Sequence, residues 1–177
     1  MNLDATPRQL PGVTEARTTT IDIFGMCVVP GHERVLICTG MPGPVLELDL
    51  ESLATREIHP SAKWSCGFVT PDHLALLVGD EVHVFLYGSG PLGEPVAKAT
   101  AAGMNIAVAH GRVLSRTKDY STTKFQMLQW NGSALVEAGE HPLAEKVSSF
   151  EGSAVVDGQA LLCAVGMKDL VHWYRVT

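Results

Sequence analysis

Seven histidines and four cysteines are the residues in this chain best equipped for metal or nucleophile chemistry. His32, His73 and His110 each fall in a turn-forming stretch between apolar runs. Three histidines around an open position would make a catalytic zinc shell. The fourth equivalent stretch carries Asp157 and Gln159 instead, and the three histidines stand at different offsets from their neighbouring runs. Ligand bonds of about 2.1 Å demand a closer convergence than separate turns supply, so no metal is expected. Cys27, Cys38, Cys66 and Cys163 lie inside apolar runs such as "GMCVV" and "ALLCAV", with no Cys-x-x-Cys pair. They read as buried free thiols and point to a reducing compartment. A Gly-x-Ser-x-Gly elbow is absent. The glycines of "SGPLGEPVAKAT" precede no helical pattern, so they form no phosphate loop. Neither a catalytic residue nor a cofactor is expected.

The elements that would hold such side chains repeat. "RVLICTG" begins at Arg34, "HLALLVG" at His73, "GRVLSRT" at Gly111 and "QALLCAVG" at Gln159, at spacings of 39, 38 and 48 residues. Each is followed by a short turn and a second run: "PVLELDL" at Pro44, "EVHVFLY" at Glu81, "KFQMLQW" at Lys124 and "LVHWYRV" at Leu170. Each is preceded by a run rich in small and apolar residues and a tight turn: "IFGMCVVPGHE" at Ile23, "WSCGFVTPD" at Trp64, "GMNIAVAHG" at Gly103 and "SSFEGSAVVDG" at Ser148. Three units add a more polar fourth run: "LATREIH" at Leu53, "EPVAKAT" at Glu94 and "ALVEAGEH" at Ala134. Gly, Pro, Asn and Asp at the joints supply turn geometry. "WNGS" at Trp130 is the strongest hairpin signal. No window shows a helical stripe. The chain therefore reads as all-β, with four copies of a four-stranded antiparallel unit over about 21–60, 61–101, 102–144 and 145–177.

Composition sets the outer limits. A chain of 177 residues suits one domain. Charged residues are only 18%, against a usual share of about 25%, so either a partner covers much of the surface or its polar part is mostly Ser, Thr, Gly and backbone. A net charge of −6 opposes a general nucleic-acid binder, which needs a basic face. No window of about 18 apolar residues could span a membrane as a helix. "MNLDATPRQLPG" is not a secretory signal. A cytoplasmic setting is expected.

Four-stranded units of about 40 residues resemble the blades of the WD40-like β-propeller superfamily. The resemblance runs from about Val13 to Thr177 and is architectural. Gly-His and Trp-Asp dipeptides are missing from their usual places; Gly31-His32 lies between the first and second strands instead. The resemblance implies a propeller-like array and carries no activity with it. The last unit lacks a fourth run, while "VTEARTTT" at Val13 is a spare extended one. Pairing the two would close a ring and remove two sheet edges, with residues 1–12 as a tail and 13–20 completing the last blade. An open half-ring, completed by a second copy or another chain, is the alternative.

A propeller also implies two faces of turns. On one lie the connections into each first strand and the second-to-third turns, carrying Lys63, Trp64, Met104, Asn105, Arg116, Lys118, Asp119, Tyr120, Glu145, Lys146, Met167 and Lys168. "SRTKDYSTTK", Ser115 to Lys124, is the longest of these turns, and extra loop length often carries binding. The expected partner contacts are Lys63, Trp64, Arg116, Lys118, Asp119, Tyr120, Lys146, Met167 and Lys168. The other face holds Glu33, Asp49, Glu51, Asp72, Glu94 and Asp157 against Arg34 and Arg112, six acids to two bases. His83 and His172 read as alternating strand residues. A central channel would be lined by Asp22, Ser65, Asn105 and Ser149, with Cys66 and Ser148 nearby. One carboxylate is too few for calcium. The expected function is a non-catalytic protein–protein interaction module, a structural subunit that binds another chain or itself. A small-ligand-binding or hydrolytic propeller using the channel is the rival.

Overall fold

The computed structural model describes residues 22–101, 103, 106–116, 124–142, 147–156, 159–166 and 171–176. Blade 1 comprises β1 (Gly25–Val28), β2 (Arg34–Cys38), β3 (Gly43–Asp49) and β4 (Thr55–Ala62). Blade 2 comprises β5 (Cys66–Thr70), β6 (His73–Val78), β7 (Glu81–Leu86) and β8 (Ala97–Thr100). Blade 3 comprises β9 (Ile106–Ala109), β10 (Arg112–Arg116), β11 (Lys124–Trp130) and β12 (Leu135–Pro142). In blade 4, β13 (Val147–Val156), β14 (Gln159–Gly166) and β15 (Val171–Val176) form a three-stranded sheet. Every blade pairs its strands in chain order, antiparallel throughout. Three of the sheets are four-stranded, antiparallel and in chain order, as the repeats imply, and the last is three-stranded in the described residues. The spare run at 13–20 and the tail at 1–12 lie outside the described residues.

The turns form for local reasons. Between β11 and β12 the Asn131 side chain accepts from the Ser133 and Ala134 amides at 3.0 and 2.9 Å. Gly132 takes φ +101° there, which a residue with a Cβ rarely adopts. The fourth strand of blade 2 is shorter than "EPVAKAT" predicts and begins only at Ala97. Pro91 and Pro95 have no N–H to give a ladder. The Leu92 amide instead reaches back to the Ile58 carbonyl of β4 at 2.8 Å.

Packing explains the unbroken apolar run of β6, Leu74 to Val78. Leu74, Ala75, Leu76 and Leu77 are all fully buried. Alternation along β6 sends Leu74 and Leu76 into the cluster with Leu36, Val45, Ile58 and Phe85. Ala75 and Leu77 go into the cluster with Val82, Val84, Val108, Val113 and Leu128. A strand covered on both faces loses its polar alternation. The innermost strands stack in sequence, β1 beside β5, β5 beside β9 and β9 beside β13. Small residues permit the approach: a Cβ on Gly67 would lie 2.6 Å from Val108 Cβ.

Candidate protein-interaction face

The connection from β4 to β5 bends sharply at Lys63, Trp64 and Ser65. The Lys63 amide bonds the Leu77 carbonyl at 2.7 Å, and the Trp64 amide bonds the Gly40 carbonyl at 3.3 Å. Gly40 belongs to the β2–β3 turn of blade 1, and Leu77 adjoins the β6–β7 turn of blade 2. Connection and second-to-third turns therefore share one face of the array, as the sequence implied. Lys63 Nζ reaches Asp80 Oδ1 at 3.3 Å across that face. Trp64 holds a left-handed backbone, φ 52°, uncommon for a bulky side chain. Its ring packs against Phe24, with centroids 5.9 Å apart. Phe24, Ile23 and Met41 remain exposed. Among the described residues the face thus offers an aromatic pair and a methionine beside the Lys63–Asp80 pair, and aromatic and methionine side chains are enriched at protein contact surfaces.

The channel residues divide differently. Asp22 is exposed. Ser65 accepts the Ile106 amide on its hydroxyl at 2.9 Å, joining blade 2 to blade 3 and satisfying the first amide of β9. Asn105 lies outside the described residues, and Ser149 is placed only as a backbone position in β13. Of the other predicted contacts, Arg116 ends β10. Lys118, Asp119, Tyr120, Lys146, Met167 and Lys168 lie outside the described residues.

The histidines do different jobs. His32 and His110 are exposed turn residues. His73 hydrogen-bonds Thr70 Oγ1 through Nδ1 at 2.8 Å, and its ring lies 5.1 Å from that of Trp130 in blade 3. His83 contacts Glu81 at 3.1 Å. No group of three or more metal-ligating side chains occurs among the described residues. Cys27, Cys38 and Cys66 are free cysteines gathered where blades 1 and 2 meet, with Cys27 Sγ 3.2 Å from Cys66 Sγ. The Cys66 sulfur and burial together push the Cys38 thiol up. Cys66 is likewise raised, chiefly by its contact with Cys27. Raised thiols are poor nucleophiles.

A polar cluster that sequence reasoning missed ties blade 1 to blade 2. Glu47 on β3 is only 4% exposed. Arg56 on β4 grips it with a two-pronged fork, Nε to Oε1 and Nη2 to Oε2, both 2.9 Å. Arg34 on β2 stands 3.7 Å from Oε1 and also pairs with Asp49 at 3.6 Å. Tyr87, just past β7 in blade 2, donates its hydroxyl to Glu47 Oε2. The Arg56 guanidinium also donates to the carbonyls of Gly88 and Ser89. Burial pushes the Glu47 carboxyl up, but Arg56, Tyr87 and Arg34 outweigh it and hold the group below its ordinary range. A carboxylate so fully paired is a clamp rather than an acid or base. The signal lay in "VLELDL", where a glutamate interrupts an apolar strand.

Neither a family model nor a curated protein matches the chain in sequence. Solved structures do match in shape. The β-propeller domain of Myceliophteria thermophila Cps50 (Swd1) aligns over 86% of this chain and 53% of its own, with TM-score 0.54 and 14% identity. The fold is a β-propeller array. A chain of the Mitotic Checkpoint Complex aligns over 87% of the propeller described here and 49% of its own, with TM-score 0.58 and 16% identity. A candidate 6-phosphogluconolactonase of Bacteroides uniformis aligns over 88% and 55%, with TM-score 0.55 and 11% identity. At such identities the likeness is one of fold alone. The propeller spans about half the length of the structures that it matches.

Proposed function

We propose that this propeller is a non-catalytic protein–protein interaction module, a structural subunit of a larger assembly. The observation that carries the reading is the Phe24–Trp64 pair with Met41 on the turn face, apolar groups exposed together. Aromatic and methionine side chains concentrate at the centres of protein interfaces. The occurrence of one structural neighbour in the Mitotic Checkpoint Complex supports the same reading by analogy of fold. The acidic net charge of −6 favours a protein over a nucleic acid as partner. Three free thiols in the described blades support a reducing, cytoplasmic setting. Among the described residues no helix is long and apolar enough to cross a membrane.

Similarity to a candidate lactonase keeps a ligand reading in the experiment. Its support is thinner, because the Ser65 hydroxyl is already engaged by the Ile106 amide. The test is proximity cross-linking and mass spectrometry on the intact protein, with Met41→Glu and Lys63→Glu variants. The proposal expects a defined partner whose capture falls at least tenfold in the double variant. Undiminished capture would contradict it. So would a melting shift of several degrees with a sugar lactone or divalent ion, since a ligand at 100 times its Kd adds about 2.7 kcal/mol.

A further inference from the structure

Blade 1 has one covered face and one open one. Cys27, Leu36, Cys38, Val45 and Ile58 point into the cluster shared with blade 2. On the other side, ladder register sets Met26 opposite Ile37 and Val28 opposite Val35. It then sets Ile37 opposite Leu46 and Val35 opposite Leu48. Three adjacent strands therefore present six apolar side chains in a row-by-row array with no charge among them. Met26 is 62% exposed and Val28 69%. Single exposed apolar residues are ordinary, but a contiguous apolar face marks an interaction site.

The internal repeat says what kind of surface this is. By ladder position, Met26 and Val28 correspond to Cys66 and Phe68, Val35 and Ile37 to Leu74 and Leu76, and Leu46 and Leu48 to His83 and Phe85. Five of those six residues of blade 2, all but His83, pack in the cluster shared with blade 1. The open face of blade 1 is thus the same surface one repeat earlier, shaped to receive another blade. Blade 4 of the same chain does not fill it, since Met26 and Val28 stay exposed and β13 is not packed beside β1 as β5 and β9 are packed beside their predecessors. At the other end of the array, β14 reads "ALLCAV" from 160 to 165, apolar at consecutive positions. In sequence it resembles β6, whose apolar run is covered on both faces, so a neighbour is expected at that end as well. The structures it resembles align over 86% and 87% of this chain and about half of their own length, as half of a larger ring would.

We infer that the Met26–Val28–Val35–Ile37–Leu46–Leu48 face receives the fourth blade of a second copy of this chain, two copies joining head to tail into one closed ring. The inference rests on the interaction-module reading and names a first partner for it. A two-fold operator satisfies both ends at once, leaving no free blade face.

Sedimentation velocity of the purified full chain tests it, beside Met26→Glu/Val28→Glu and a control, Val96→Glu, that changes an apolar residue 50% exposed away from the face. The expected mass is twice 19.0 kDa for the wild type and the control. It is a single 19.0 kDa species for the double variant, with folding checked by circular dichroism. A wild type that stays monomeric at tens of micromolar overturns the inference, and so does a double variant that still dimerises. If the double variant does not fold, the wild-type mass alone decides. A monomer that still captures its partner through Met41 and Lys63 would sink the two-copy ring and leave the interaction module standing.

Discussion

Tyr87 of blade 2 donates its hydroxyl to the carboxylate of Glu47 in blade 1, beside the apolar cluster that the two blades share. The contact joins residues 40 apart in sequence, about one repeat, and marks the seam where neighbouring blades lock in one orientation. Leaving one partner of such a buried group unpaired costs more than the bond itself contributes. Tyr87→Phe removes one donor of several and should lower stability by about 1–2 kcal/mol. Arg56→Ala strips the fork from a carboxylate that is 4% exposed and should cost about 3 kcal/mol or more. Urea unfolding of both variants checks the order; equal losses would show that the fork does not anchor Glu47.

The same cluster sets a pH window. Glu47 lies below its ordinary range, so its contribution is complete above the unfolded value near 4.3 and drains away as pH falls through the lower folded value. Tyr87 shifts the opposite way, pushed up to about 12 first by burial and then by the Glu47 carboxylate. A raised phenol favours the fold below its unfolded pKa near 10 and loses that contribution as pH climbs toward 12. Melting temperature against pH should fall at both ends. Tyr87→Phe should flatten the alkaline limb and Glu47→Gln the acid limb. An alkaline limb unchanged in Tyr87→Phe would contradict the assignment.

Gly67 on β5 leaves no room for a methyl group against Val108 on β9. Gly67→Ala should cost about 1–3 kcal/mol through overpacking. Adding Val108→Gly, which removes the Cβ that would stand 2.6 Å away, should return part of that loss, a coupling that a double-mutant cycle reads directly. Strictly additive losses would mean that the inner strands stand further apart than the geometry shows.

Cys38 and Cys66 are held as poor thiolates between blades 1 and 2. Iodoacetamide should alkylate both at least tenfold more slowly in the native protein than in urea, measured by peptide mass spectrometry. Native labelling at the unfolded rate would show that the seam opens readily.

The repeat was legible because turn chemistry is local. Asn131-Gly132, Gly79-Asp80 and Gly31 punctuate runs whose apolar residues pack in the structure, so strand order followed from spacing. The placement of Lys63 and Trp64 on one turn face was legible for the same reason, since it depends only on strand order. Less visible were features that need register as well as order. Glu47 looks like a solvent residue in "VLELDL" until β2 and β4 bring two arginines over it. Met26 looks like core until its face is found uncovered. β8 starts later than "EPVAKAT" suggests because Pro95 has no amide to give the ladder. The long turn around Lys118 to Tyr120 lies outside the described residues.

Hydroxyl-radical footprinting of the purified protein tests the central claim most directly. In a single copy Met26 is 62% exposed and Met41 50%, so the two methionines serve as each other's standard. If a second copy covers the outer face of blade 1, Met26 should oxidise several-fold more slowly than Met41 at micromolar concentration and catch up on dilution. Met26 oxidising as fast as Met41 at every concentration would contradict the account.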